Sequence, residues 1–317
     1  MNRLIDRFAV VLVAVAAVMW ASDAYFRSQL VTHLSPTQIV VAEDALITLL
    51  IAPILLRRWS ELRGLGSRGW AAAVIIAVGP QALATIMFTA SFSYGIYAET
   101  FVLQQVQPLI AIALAWLILG ERRRPWFWSA VAAALVAVYM VVFAKNLMDP
   151  FSALQRGRLE AGLLALGAAA FWASGTVLGR VVLRRASFTT MTGLRFTLAL
   201  PLLVAIVVVQ NGLAGFSHYR PTDFAPNLLG IALIPGLLAL LIYYRALAST
   251  PASLATIAEL AYPVAATVIA TLPKPWGFGQ ATYPAQIAGT VLLLGVIVVL
   301  NWSKEKAPPV VLAGQAA

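Results

Sequence analysis

The 317-residue sequence has no cysteine and only two histidines, His33 and His218. Disulfides and thiolate metal sites are excluded, and a histidine-based metal centre lacks ligands. Charge is scarce as well. Asp, Glu, Lys and Arg make up 11% of the residues, against about 25% in a soluble domain. That scarcity excludes disorder, coiled coil and a water-soluble enzyme. Catalytic signatures are missing too. There is no P-loop, so this chain does not hydrolyse ATP. There is no H-E-x-x-H, no serine elbow and no acid pair at metal-ligand spacing. Gly64-Leu65-Gly66 and Gly277-Phe278-Gly279 are too short to cradle a phosphate. No enzyme activity and no cofactor are expected.

Hydrophobic residues make up 61% of the chain, in long runs free of charge. At about 20 residues per helical span, the length accommodates about ten spans. The runs fall near 8–28, 36–56, 70–90, 98–118, 126–145, 160–180, 188–210, 227–248, 254–273 and 284–302. Lipid cannot hydrogen-bond an exposed backbone, so the spans are expected to be helices. A β-barrel would alternate polar and apolar positions, whereas Leu292 to Leu300 is continuously apolar. Arg, Pro and Gly fill the connections, as in Glu121-Arg122-Arg123-Arg124-Pro125. The tail after Lys304 is expected to be disordered. Arg3 and Arg7 before the first run, with Ala21-Ser22-Asp23-Ala24 after it, also resemble a signal peptide. Nine further runs and the repeat below favour a span.

The net charge is +10. With ten spans both ends of the chain lie on one side. Segments on that side carry 15 basic residues, including Arg57, Arg58, Arg122 to Arg124, Arg184 and Arg185. The opposite segments carry 6, namely Arg27, Lys145, Arg156, Arg158, Arg220 and Lys274. The positive-inside rule makes both termini cytoplasmic. The positive charge thus reports topology in the plasma (inner) membrane and contact with anionic lipid, not a nucleic-acid partner.

The chain also resembles itself. Trp20-Ala21-Ser22 recurs as Trp172-Ala173-Ser174, an offset of 152. Further along the offset is 155, where Pro80 matches Pro235, Pro108 matches Pro263 and Gln104 matches Glu259. Five spans per half force the second half to enter the membrane from the opposite side. The halves are expected to be inverted repeats, an architecture of secondary transporters with the site between the halves near the midplane.

These features together resemble the drug/metabolite transporter superfamily, and its EamA-type members in particular. The resemblance rests on five plus five spans, Trp20 and Trp172 in the first and sixth, and Arg195 early in the seventh. Pro108 and Pro263 late in each half and Gly120-Glu121 after the fourth span complete it. It implies an all-α integral membrane fold of two five-helix repeats, 1–145 and 160–302, joined by a loop at 146–159 and followed by a cytoplasmic tail at 303–317. It further implies transport of small metabolites, often amino acids, with spans one to four and six to nine lining the path. The sequence departs from the family at Glu43, where a basic residue is frequent, and after the ninth span, where Lys274-Pro275-Trp276-Gly277 replaces a Gly-Glu pair.

Charges within spans cost about 2.5–3.5 kcal/mol at the helix centre. Asp23, Glu43, Asp44, Arg195 and Glu259 are therefore candidates for function, with Glu99 at a span end. Glu43 and Arg195 hold equivalent positions in the two halves. They read as binders of an ammonium and a carboxylate, or as a structural ion pair. Asp44 lies about 100° round the helix from Glu43, so only one of them faces the cavity. Proline disrupts the bond to the carbonyl four residues earlier. Pro263 frees that of Glu259 and Pro108 that of Gln104, placing a free acceptor and a polar side chain together in each half. Glu259 and Asp23 are candidates for proton coupling, with facilitated diffusion as the alternative driving force. Trp20 and Trp172 read as paired walls of the site or as packing. Pro80, Pro108, Pro235 and Pro263 read as points of helix bending. Tyr94, Tyr97, Tyr243 and Tyr244 read as interfacial aromatics. Small residues at every fourth position, Ser129, Ala133 and Ala137 and then Ala165, Ala169 and Ala173, read as close helix packing.

The sequence thus points to a carrier, expected to export a small polar or amphipathic metabolite such as an amino acid by alternating access. A monomer is expected, with a homodimer possible. A membrane-embedded enzyme, a channel and a non-transporting scaffold are the alternatives.

Overall fold

The computed structural model describes residues 8–31, 33–92, 104, 106–143, 147–148, 159–219, 221–273 and 283–302. Tyr94, Tyr97, Glu99, most of the segment joining the halves and the tail after Lys304 lie outside them. Every regular element among the described residues is helical. The first half holds α1 (Ala9–Ala21), α2 (Asp23–Leu30), α3 (Pro36–Arg57), α4 (Trp59–Gly64), α5 (Gly66–Ile76), α6 (Ala84–Phe92), α7 (Gln107–Leu119) and α8 (Pro125–Val142). The second holds α9 (Leu159–Val182), α10 (Phe188–Asn211), α11 (Pro221–Ile231), α12 (Ala239–Leu247), α13 (Ala252–Ala258), α14 (Ala261–Thr271) and α15 (Pro284–Trp302). Six helical stretches are long and apolar enough to cross a membrane: Ala9–Arg27, Pro36–Arg57, Gly66–Ser91, Gly162–Val182, Phe188–Asn211 and Asp223–Leu247. Four shorter apolar helices accompany them: Gln107–Leu119, Pro125–Met140, Ala252–Ala266 and Pro284–Leu300. The protein is a multi-pass membrane protein.

Local chemistry explains the boundaries. Ser35 starts α3 with a capping box, its hydroxyl accepting from the Gln38 amide while Gln38 reaches back. Ser187, at the equivalent place 152 residues on, caps α10 through the Thr190 amide. Gly120 ends α7 at φ +67°, a left-handed conformation that costs glycine little. It lets the Gly120 and Glu121 amides return to the Trp116 and Ala115 carbonyls.

The two π-helical segments, Ala77–Leu83 and Ala232–Leu238, follow α5 and α11 without a break. Pro80 lies inside the first and Pro235 inside the second. Each proline lacks the N–H that an α-turn requires, and the chain accommodates it by widening the turn. The segments are 155 residues apart, matching the offset of their prolines. Pro108 differs from the sequence expectation. It sits in the first turn of α7, where no N–H is needed, rather than in a helix interior. Pro263 likewise lies in the first turn of α14.

Packing repeats the symmetry. α1 packs on α12 as α9 packs on α6, and α9 packs on α7 as α1 packs on α14. α3 with α10, α7 with α13 and α8 with α15 pair across the halves. Exchanging the halves returns these contacts. Ala165, Ala169 and Ala173 form a buried small-residue stripe on α9. The α8 stripe differs from expectation: Ala137 is buried, but Ser129 is exposed.

Polar contacts tie the halves together at the end where α3, α7, α9 and α12 finish. The Glu61 carboxylate accepts from the Ser187 amide and the Thr190 hydroxyl, each at 2.7 Å, and pairs with Arg58 at 2.6 Å. Partial burial pushes its pKa up, but these donors outweigh burial and hold it at about 2, against an ordinary 4.5. At the opposite end the Gln38 amide donates to the Gly215 carbonyl at 2.6 Å.

Two predictions follow from this packing. A side chain at Gly175 would meet the Pro80 ring at 2.9 Å. Gly175→Val is expected to lower the thermal midpoint in detergent, by an overpacking cost of about 1–3 kcal/mol. Because the Glu61 pKa is depressed in the fold, its stabilisation is complete above the ordinary 4.5 and is lost as pH falls towards about 2. A thermal-melt series over that window should show a fall that Glu61→Gln reduces.

Candidate functional site

A cavity of about 160 Å3 lies in the middle of the bundle. Trp20, Glu43, Gln104, Trp172, Arg195 and Glu259 all line it, as do Asp23, Pro108, Pro235 and Pro263. The lining comes from both halves, and neither α8 nor α15 contributes to it. Pro80 reaches the site through its carbonyl.

The first of three polar clusters centres on Arg27, which the sequence reading had placed in a connection. A break at Ser22 separates α1 from α2, with the Ser22 hydroxyl bonded back to the Met19 carbonyl at 2.7 Å. α2 then carries Arg27 inward, to 2% exposure. Its guanidinium meets Asp23 at 2.7 and 2.8 Å and Glu43 at 2.9 Å. Glu43 is thus ion-paired with Arg27, four residues from Asp23, and not with Arg195. Asp44 is fully buried and turned away from the cavity, accepting from Gln81 at 2.8 Å. Its second oxygen has no hydrogen-bond partner.

The second cluster surrounds Arg195. Its donors go to the Gln81 side-chain oxygen, the Tyr244 hydroxyl at 3.0 Å and the Pro80 carbonyl at 3.4 Å. Trp172 donates its indole N–H to the same Pro80 carbonyl at 2.9 Å. The widened turn at Pro80 therefore supplies an acceptor shared by two cavity residues. Among the described residues no carboxylate lies within ion-pair distance of Arg195.

The third cluster holds Glu259, which is 8% exposed. Tyr243 donates to its carboxylate at 2.8 Å, Gln107 at 2.9 Å and Thr176 at 3.3 Å. All three donors are neutral. The free backbone acceptor expected at Glu259 is absent, because the Tyr262 amide closes a tight turn onto that carbonyl at 2.9 Å. That turn separates α13 from α14. Gln104 lines the cavity with its side-chain oxygen buried and lacking a hydrogen-bond partner.

Aromatic rings fill the remaining wall. Trp20 lies 5.1 Å from Tyr243 and Trp172 lies 5.1 Å from Phe88, centroid to centroid. Tyr243 and Tyr244 are 3% and 0% exposed and bonded to the two central charges, so neither is interfacial. Arg27, Gln81, Thr176, Tyr243 and Tyr244 escaped the sequence reading. Asp23 and Arg27 at i and i+4 were a usable signal. The tyrosines offered none, because their hydroxyl partners come from other helices.

The model of the EamA-like transporter family matches the chain twice, over residues 7–143 and 160–302. It is 31% identical to a riboflavin transporter, ImpX, of Fusobacterium nucleatum subsp. nucleatum over 204 residues, 63% of this chain and 64% of that relative. The chain thus spans less than two thirds of that relative's length. It is 26% identical over 308 residues to an uncharacterized transporter, YwfM, of Bacillus subtilis, covering 93% of this chain and 94% of the relative. A solved crystal structure superposes with a TM-score of 0.72 over 94% of this chain and 99% of its own, at 16% identity, which speaks to the fold alone. Transporters, not enzymes, are what the chain is similar to, and with both halves matched by the family model the chain belongs to the EamA-like transporter family.

Proposed function

We propose that the chain is a secondary carrier that moves a small polar or amphipathic metabolite across the cytoplasmic membrane by alternating access, with export the expected direction. Ten spans form two inverted repeats, 1–145 and 160–302, linked by 146–159, with both termini cytoplasmic. The observation that carries this reading is the placement of the ionisable groups. They converge in the middle of the bundle, on a cavity lined from both halves, where an interfacial enzyme would hold them at one end. Packing that survives exchange of the halves supports it, because alternating access requires two arrangements related by that exchange.

The substrate reading follows from charge. Arg195 donates to the neutral acceptors Gln81, Tyr244 and the Pro80 carbonyl, and its guanidinium would take a carboxylate. Asp23 and Glu43 share one guanidinium, leaving one negative charge for an ammonium. Trp20 and Trp172 would bound the apolar part. An amino acid meets all three demands. A planar aromatic metabolite such as riboflavin, transported by the Fusobacterium relative, is the second reading. The aromatic wall together with the Gln81, Gln104 and Gln107 amides favours it. Glu259 rather than Asp23 is the proton carrier in this scheme. Asp23 is held by Arg27, whereas Glu259 keeps only neutral donors, whose bonds survive protonation of the carboxyl with little rearrangement.

Counterflow in proteoliposomes, run with amino acids and with riboflavin, tests the carrier and separates the substrates. Arg195→Ala is expected to raise the half-saturating concentration at least tenfold, as loss of a charged hydrogen bond of about 1.5–3 kcal/mol implies. Unchanged affinity in a folded variant sinks the carboxylate role. Glu259→Gln is expected to abolish the pH dependence of uptake while preserving exchange. Retained pH dependence would remove Glu259 from the proton path.

A further inference from the structure

The two halves repeat each other in helices, prolines and packing, but not in the bonds that close the two ends of the cavity. A carrier made of perfect copies would populate its two states equally, and only unequal contacts can bias it. At the end where α7 finishes and α13 begins, the Glu121 carboxylate of the first half is seated on the second. It accepts from the Ala252 amide at 2.9 Å, the Ser253 amide at 3.1 Å and the Ser253 hydroxyl at 2.6 Å. Arg123 closes the cluster, meeting Glu121 at 2.9 Å and the Ser253 hydroxyl at 2.6 Å. Glu121 and Arg123 side chains are 1% and 4% exposed. Glu61 makes the parallel connection to Ser187 and Thr190 at the same end.

The repeat positions of these two carboxylates, at the opposite end, hold no acid. No acidic residue occurs between Glu259 and Glu305, the stretch that holds the far end of the ninth helix and the repeat position of Glu121, which is Trp276. Residues 211–219, at the repeat position of Glu61, are also free of acid. At that end the Gln38 side-chain amide donates to the Gly215 carbonyl and the Tyr219 hydroxyl to the Gln38 carbonyl, both neutral bonds. Charge-assisted bonds are roughly twice as strong as neutral ones.

We propose that Glu121, with Ser253 and Arg123, is a one-sided latch that sets the resting state of the carrier. It holds the cavity closed on the face bearing the chain termini and leaves the opposite face the easier one to open. The proposal rests on the alternating-access reading above. It assigns a function to the Gly120-Glu121 pair: Gly120 turns the chain at the end of α7, and the turn delivers Glu121 to the start of α13. Transport to the terminus side then requires the Glu121 bonds to break, so the latch controls how often that face opens.

The absence of cysteine makes the test direct. Thr85→Cys places one thiol in the cavity lining. Its reaction with a membrane-impermeant, positively charged methanethiosulfonate is followed from each face of oriented vesicles. In the otherwise unaltered protein, labelling is expected from the face opposite the termini and slow from the terminus face. Adding Glu121→Gln is expected to raise the terminus-face rate on the order of tenfold, and Ser253→Ala, which leaves the carboxylate in place, to raise it less. Terminus-face rates unchanged in both variants, with thermal melts showing folded protein, overturn the latch alone. Equal labelling from both faces before any latch substitution overturns the one-sided resting state, whereas absence of counterflow in the unaltered protein overturns the alternating-access reading beneath it.

Discussion

Every ionisable side chain inside this bundle must find its partner within the chain, because lipid offers none. The central architecture follows from that constraint. Asp23 and Glu43 are tolerable because α2 folds Arg27 between them. Arg195 is tolerable because Gln81, Tyr244 and the Pro80 carbonyl surround it. Glu259 is held by Tyr243, Thr176 and Gln107. Each solution draws on at least two helices, so the charges that make the cavity useful also bind the helices around it.

Proline enters the same accounting through the backbone. Pro80 and Pro235 each deny a helix one donor, and both helices answer with a widened turn at equivalent places. The wide turns are packed tightly from outside, Gly79 and Pro80 against Phe171 and Gly175, and Gly236 against Ile47. Close approach of small residues provides the contact that helix association in lipid relies on. At Pro80 the widened turn also turns a carbonyl to Trp172 and Arg195. A local backbone defect thereby becomes part of the site, and the same defect recurs in the other half at the place symmetry requires.

Symmetry in the interior and asymmetry at the ends serve different ends. Matched helices and matched π turns are what an alternating-access carrier, as proposed, would use to reach two arrangements of comparable energy. Glu61 and Glu121, whose repeat positions hold no acid, would favour one of the two. In the proposed carrier, duplication would supply the mechanism and a few unmatched residues its direction of rest.

Hydrophobic run length and the paired motifs by themselves determined that this is an all-helical membrane protein, that it repeats after 152 to 155 residues, and that Trp20, Glu43, Trp172, Arg195 and Glu259 deserve a place near one another. Those properties are periodic or compositional, and so survive in one dimension. Partnership does not. Arg27 read as a connecting residue because its charge ends an apolar run, yet a break at Ser22 carries it inward. Tyr243 and Tyr244 read as interfacial because tyrosine near a span end usually is. Only the packing of α12 against α1 and α10 put one hydroxyl on Glu259 and the other on Arg195. Likewise Pro263 was expected to free a carbonyl at Glu259, and the tight turn to Tyr262 took it up instead. Charge neutralisation and hydrogen bonding are settled between residues distant in sequence, and for that reason the tertiary structure alone decided which charges pair, which stand open to the cavity and which close its ends.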